Sequence, residues 1–415
     1  MMRDTVEPLW MRTLRAEARE RFQEMAWPTP AQEEWRRTDV SRLGLASFAP
    51  GPAAPSRPPR EGDPGAAAGS IRFEEGACME VALAREWRDQ GVRLLPLDHA
   101  LEEFEAPLRQ LYQEGLQEAD NKFLVWHYAS LGHGALLWLP AGLEIQEPFF
   151  IDFQEHGNAT VSAPHVVVLM GAGARASVVQ RVTAAQGADA MLCNAMVDLR
   201  VGDAAGLRYS EVQELGARDL YFRHARASVA RDGSLRHFDA ELGARLAKTR
   251  TECALCGPGA EAFLDGVYFC GANQHMDLRT VQSHRSPKAT SRAFYKGAVA
   301  GGGRTVFQGL IDVAPGASGT DAFLTNKNLI LGEAARSDSI PTLKIGNNDV
   351  KCSHGSTSGR LSAEELFYLE SRGLSPADAR EMLVLGYFEE LLEPVPERIR
   401  EDALSSIRGR LRRAA

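Results

Sequence analysis

Glycines recur at nearly constant intervals through the middle of this chain. Gly173, Gly187, Gly202 and Gly216 stand 14, 15 and 14 residues apart, and Gly302, Gly316, Gly332 and Gly346 stand 14, 16 and 14 apart. Between the two runs the spacing through Gly233, Gly243, Gly259 and Gly271 is looser. The segments between these glycines alternate with a period of two. Val197, Leu199 and Val201 alternate with Asp198 and Arg200; Ala225, Ala227 and Val229 alternate with His224, Arg226 and Ser228; Phe238, Ala240 and Leu242 alternate with Asp239 and Glu241. Successive side chains of a strand point to opposite faces, so each segment reads as a strand with its apolar set on a buried face. A short strand and a turn, repeated at a fixed period, cannot bury its apolar face alone and must stack on its neighbours. A β-sandwich also turns regularly, at about 8–12 residues per strand. Residues 131–357 are long for one sandwich, and the pattern favours a parallel β-helix.

The character differs on either side. Leu14, Ala18, Phe22 and Met25 form one helical stripe, ended at Trp27-Pro28-Thr29-Pro30. A second short helix is predicted in "AQEEWRRTDVSRL" (31–43). Residues 50–70 carry six Pro and four Gly and read as a mobile linker. Helices are predicted near 98–116 and 121–130. After Gly355, Ser362 and Glu365 form a capping box with Leu361 and Leu366 as its staple, and Gly373 ends that helix. Ser375-Pro376 starts another, on which Met382, Leu383, Leu385, Phe388, Leu391 and Leu392 form a wide apolar face. Pro394 and Pro396 break it before a last helix and a basic tail. The expected domains are 1–130, helical and mixed; 131–357, the β-helix; and 358–415, helices that cover the open end of the solenoid.

Several function classes fall away. The net charge of −8 gives no basic field for nucleic acid. No apolar run approaches the ~18 residues of a membrane helix. The charged start, "MMRDTVEPLWMRTLRAEARE", has no apolar segment of a secretory signal. Six sparse cysteines read as reduced thiols in a cytoplasm. In "GAVAGGGRT" (297–305), Gly297 and Gly302 keep the gap of a phosphate loop, but Gly303 stands where the gripping Lys is required. No G-x-S-x-G occurs. The chain is expected not to be an enzyme.

One stretch carries candidate chemistry. In "DVKCSHG" (349–355), Cys352 and His354 share a strand face with α-carbons ~6.6 Å apart. Thiolate and imidazole suit zinc or iron, but two ligands do not close a site, so others must come from elsewhere, another chain included. The alternative is a small buried thiol and a hydrogen-bonded His on the last rung. Cys253 and Cys256 form a CxxC whose members point to opposite strand faces, which favours packing over redox chemistry. His275 and Asp277 share a face, with His284 nearby; a hydrogen-bonded pair inside the solenoid is expected rather than a metal site.

Five blocks together carry a resemblance: "PTPAQEEWRRTDVSRL" (28–43), "QHMDLRTVQSHRSPKATSRAFYKGAV" (274–299), "TNKNLILG" (325–332), "DVKCSHGSTSGRL" (349–361) and "ELFYLESRGL" (365–374). They resemble the SufB/SufD family of iron–sulfur cluster assembly proteins, from about residue 28 to 392. Asn326 stands where SufB members carry a functional Cys, and Gly355 where they carry Glu, which resembles the SufD branch. Asn348 replaces one of two acidic residues that many relatives have before "VKCSHG". The resemblance implies a right-handed parallel β-helix and a non-catalytic scaffold subunit. It implies partners SufB, paired through the last strands, and the ATPase SufC, docked on the C-terminal helices. It implies that His354 and Cys352 lie at the SufB seam and share a transient iron–sulfur cluster, with no stably bound cofactor; for the isolated chain, self-association as a homodimer is left open. The rival readings are an exported β-helix enzyme acting on polysaccharide and a free-standing metal carrier.

Overall fold

From Pro164–Met170 onward, consecutive strands of this chain do not pair with each other; each pairs, in parallel, with the strand two places on, so the chain winds between two sheets. The computed structural model describes residues 7–50, 59–155, 160–185 and 189–414. One sheet runs from Arg93–Pro96 through His133–Leu139, Pro164–Met170, Leu192–Val201, Leu220–Val229, Leu246–Leu255, His275–His284 and Arg304–Val313 to Arg336–Ile345. The other runs from Arg60–Glu61 and the hairpin Gly69–Glu74/Ala77–Leu83 through Phe149–Glu155, Arg175–Ala184, Gly206–Glu214, Ser234–Glu241, Glu261–Cys270, Thr290–Val299 and Thr320–Ile330 to Val350–Gly359. The result is a parallel β-solenoid of about eight turns. Leu220 lies beside Leu246, 26 residues on, and Arg304 beside Arg336, 32 residues on. The glycine interval of 14–16 is therefore half a coil.

Stacking explains part of that rhythm. A Cβ on Gly202 would sit 2.7 Å from the Met170 carbonyl of the coil beneath, closer than any side chain allows. Gly302 and Gly316 have open space instead, so there the residue marks a turn without being required by it. Gly187 lies outside the described residues.

The sheets begin before residue 131. Ile71 and Phe73 are buried in the solenoid core, which draws Gly69–Glu74 alongside Phe149–Glu155. The expected linker over 50–70 is thereby shortened: 51–58 lie outside the described residues, and Arg60–Glu61 already pair with Glu80 and Val81. Helices Leu9–Glu24, Glu105–Gln117 and Lys122–Ser130 pack on the outer face of the first sheet around Leu136, Val167, Leu169 and Met196. The helix predicted in 31–43 is two 3₁₀ turns, Glu33–Trp35 and Val40–Arg42, with Trp35 stacked on Phe123 at 5.3 Å.

Ser362 and Ser375 cap their helices as predicted, accepting from the Glu365 and Asp378 amides. The C-terminal helices do not cover the open end. Pro376–Leu392 and Glu397–Ala414 lie along the outer face of the second sheet, where Val384, Phe388, Leu392, Ile399 and Ile407 meet Val212, Phe238, Ala240, Leu242, Val267 and Phe269. A helix with so wide an apolar face buries more of it on a flat row of apolar residues than on the narrow rim of a solenoid. The same packing turns one strand around. Phe238, Ala240 and Leu242 face these helices, and His237, Asp239 and Glu241 face the interior.

Candidate functional site at the open end

Among the described residues, the last strand, Val350–Gly359, pairs only with Thr320–Ile330. Cys352 lies beside Ala322 and His354 beside Leu324, both members of the solenoid core, so thiol and imidazole continue interior-facing columns. Cys352 is partly buried against that core, and His354 is exposed. The first sheet ends likewise at Arg336–Ile345: Leu343 and Ile345 extend the columns of Ile311 and Val313 and are 37% and 41% exposed. The terminal layer is thus an uncovered piece of core with a thiol and an imidazole in it, framed by two strands with one free edge each. Such edges carry unpaired N–H and C=O groups and recruit further strands unless blunted. Burial raises the Cys352 thiol above its ordinary value, against the backbone hydrogen bond with Ala322. It rests protonated at neutral pH and would release that proton on meeting a metal. Lys351 lies beside Asp321 on the opposite face.

The other predicted residues have different surroundings. His275 and Asp277 are not inside the solenoid and do not bond each other. They face outward from the first sheet, and both contact Thr38 Oγ1, which lies 2.9 Å from His275 Nε2. Lys248 Nζ donates to Asp277 at 2.8 Å and to the Glu34 carbonyl at 3.1 Å, so this cluster clamps the N-terminal segment. His284 is interior, 2.8 Å from Ser291 Oγ. Cys253 is buried, Cys256 is exposed, and both are free thiols. Gly297 lies in a strand, where a Cβ would strike the Tyr268 ring at 1.9 Å.

Sequence reasoning missed a polar ladder inside the solenoid. In register along the second sheet, Gln180, Glu211, Asp239, Gly266, Tyr295, Asn326 and Ser356 form one interior column. Gln213, Glu241, Tyr268, Gly297, Asn328 and Ser358 form the next. Tyr295 reaches past Gly266 to Asp239 at 2.8 Å, and Tyr268 reaches past Gly297 to Asn328 at 2.6 Å. From the first sheet, Arg223 donates to Asp239 at 2.7 Å and to Thr251 at 2.7 Å. Burial pushes the Glu241 carboxyl up to about 8; Arg223 opposes this, and Asp239 and Glu211 add to it. The signal lay in the alternation at 237–241, which is apolar on one side and ionisable on the other. Both sides turn out to be buried, and alternation alone does not say which faces in.

A family model described as "SUF system FeS cluster assembly, SufBD core domain" matches residues 152–387 of the chain. An iron–sulfur cluster assembly SufBD family protein of Staphylococcus saprophyticus is 27% identical over 314 residues, covering 76% of this chain and 68% of the relative. Proteins of the same description from Staphylococcus epidermidis and Staphylococcus aureus are 26% identical over the same share of each chain.

Proposed function

The chain belongs to the SufBD family of iron–sulfur cluster assembly proteins, and from that premise we propose that it is the SufD-type scaffold subunit, completed at its open end by SufB. The observation that carries this reading is the terminal layer itself: Cys352 and His354 beside exposed Leu343 and Ile345, between two free strand edges. Asn326 and Gly355, at positions where SufB members carry Cys and Glu, support the SufD assignment.

On this reading SufB strands extend both sheets, and the apolar floor becomes the centre of an interface. The nascent cluster is cargo. The imidazole of His354 donates a lone pair to cluster iron, and Cys352 loses its proton to do the same; SufB supplies the remaining ligands. The chain has no catalytic step of its own. SufC docks on the C-terminal helices, where Phe367, Tyr368 and Met382 stand more than half exposed. Its ATP-driven movement is transmitted to the seam through the packing of Phe388 and Leu392 on the second sheet. Among the described residues no helix is long and apolar enough to cross a membrane. The setting proposed is the cytoplasm.

The test is cluster assembly on the complex reconstituted with SufB and SufC. His354→Ala is expected to lower cluster yield about tenfold or more, the effect of removing one metal ligand or its support, while the complex still forms. Wild-type yield from an intact His354→Ala complex would overturn the ligand role.

A further inference from the structure

We propose that Glu211, His237 and Asp239 form a divalent-cation site sealed inside the solenoid, separate from the open end. Their ligand atoms lie within 4.8 Å of one another, and all three residues are buried. Glu211 and Asp239 are register partners on adjacent strands, and His237 precedes Asp239 by two residues on the same face. His237 Nδ1 is 3.5 Å from Asp239 Oδ1. Bonds of about 2.1 Å to a tetrahedral ion place two ligands about 3.4 Å apart.

Unmet bonding capacity supports the site. His237 is 1% exposed, yet among the described residues neither ring nitrogen has a hydrogen-bond partner, and Glu211 Oε2 has none either. Buried polar atoms are rarely left so. The atoms that are satisfied orient the free ones. Tyr221 donates to Glu211 Oε1 at 2.7 Å, which leaves Oε2 toward the cluster. Tyr209 stacks on the His237 ring, with centroids 5.4 Å apart and planes 20° apart, and fixes its plane. Outer contacts of this kind hold metal ligands in place.

Charge points the same way. Arg223 lies 2.7 Å from Asp239 and 3.5 Å from both Glu211 and Glu241, so one guanidinium serves three buried carboxylates. Fully ionised, the group keeps an excess of two negative charges, the charge a divalent ion supplies. One imidazole and two carboxylates suit zinc, manganese or ferrous iron rather than a thiophilic ion. The ligands are interior, so the ion enters as the coils close and stays as a structural brace.

The test uses the full-length chain without a polyhistidine tag, produced in medium supplemented with zinc or cobalt and washed with chelator. About one ion per chain is expected to survive, with visible d–d bands and no thiolate charge-transfer band in the cobalt form. Glu211→Gln and His237→Asn are expected to lose the ion. A Cys352→Ser/His354→Ala double variant is expected to keep it, and that arm separates this site from the open end. No retained ion in the parent, a cobalt–thiolate band, or loss of the ion only from the double variant overturns the proposal. If neither ligand variant folds, the cobalt spectrum of the parent decides alone.

Discussion

Gly266 and Gly297 are small because tyrosines need their space. A Cβ on Gly266 would lie 2.3 Å from the Tyr295 ring, whose hydroxyl is held by Asp239. Gly266→Ala is expected to displace that ring and destabilise the chain by about 1–3 kcal/mol, read by chemical denaturation. Asp265, on the outward face of the same strand, makes a pH-dependent case. Burial raises its carboxyl to about 7, against Arg236 and the backbone hydrogen bond of Phe294. The folded state therefore holds this proton more tightly than the unfolded one, and stability from this group falls as pH rises from the ordinary Asp value through about 7. Asp265→Asn is expected to be more stable than the parent at about pH 8, by on the order of 3 kcal/mol, and to lose that advantage near pH 4. Melting curves at the two pH values check this; an equal offset at both would refute it. That Cys352 and His354 share one face of a strand was legible from their spacing. The Glu211–His237–Asp239 group was not, because its members come from two strands that only the coil register brings together.

Strand period and helix caps were written locally and could be read locally: Ser362 and Ser375 cap where their sequences place them. The docking of whole helices was not. Pro376–Leu392 has a broad apolar face, but nothing within it names the surface it covers, and the outer face of the second sheet won over the solenoid rim. Phe388 is fully buried in that contact, so Phe388→Ala is expected to cost about 3–5 kcal/mol. Loss of protection in Pro376–Leu392 and Glu397–Ala414, with the solenoid strands still protected, would be its signature in hydrogen exchange. In Ser234–Glu241 the apolar side is buried as read, but beneath helices from elsewhere in the chain, and the burial of its ionisable side in the interior could not be read for the same reason.

The repeat announced a solenoid, and the half-coil interval of its glycines survives in the register of both sheets. The chain leaves one end of that solenoid uncovered. Leu343 and Ile345 cost the monomer little to replace because they are already partly in water. Leu343→Lys is expected to change the melting temperature of the isolated chain hardly at all while abolishing association with SufB in pull-down. The central claim, that another subunit's strands complete this end, is tested most directly by hydrogen exchange on the chain alone and in complex. The account predicts that amides of Arg336–Ile345 and Val350–Gly359 become protected together when SufB binds, while interior strands such as Leu246–Leu255 stay as they were. Unchanged exchange in both edge strands within a formed complex would contradict it.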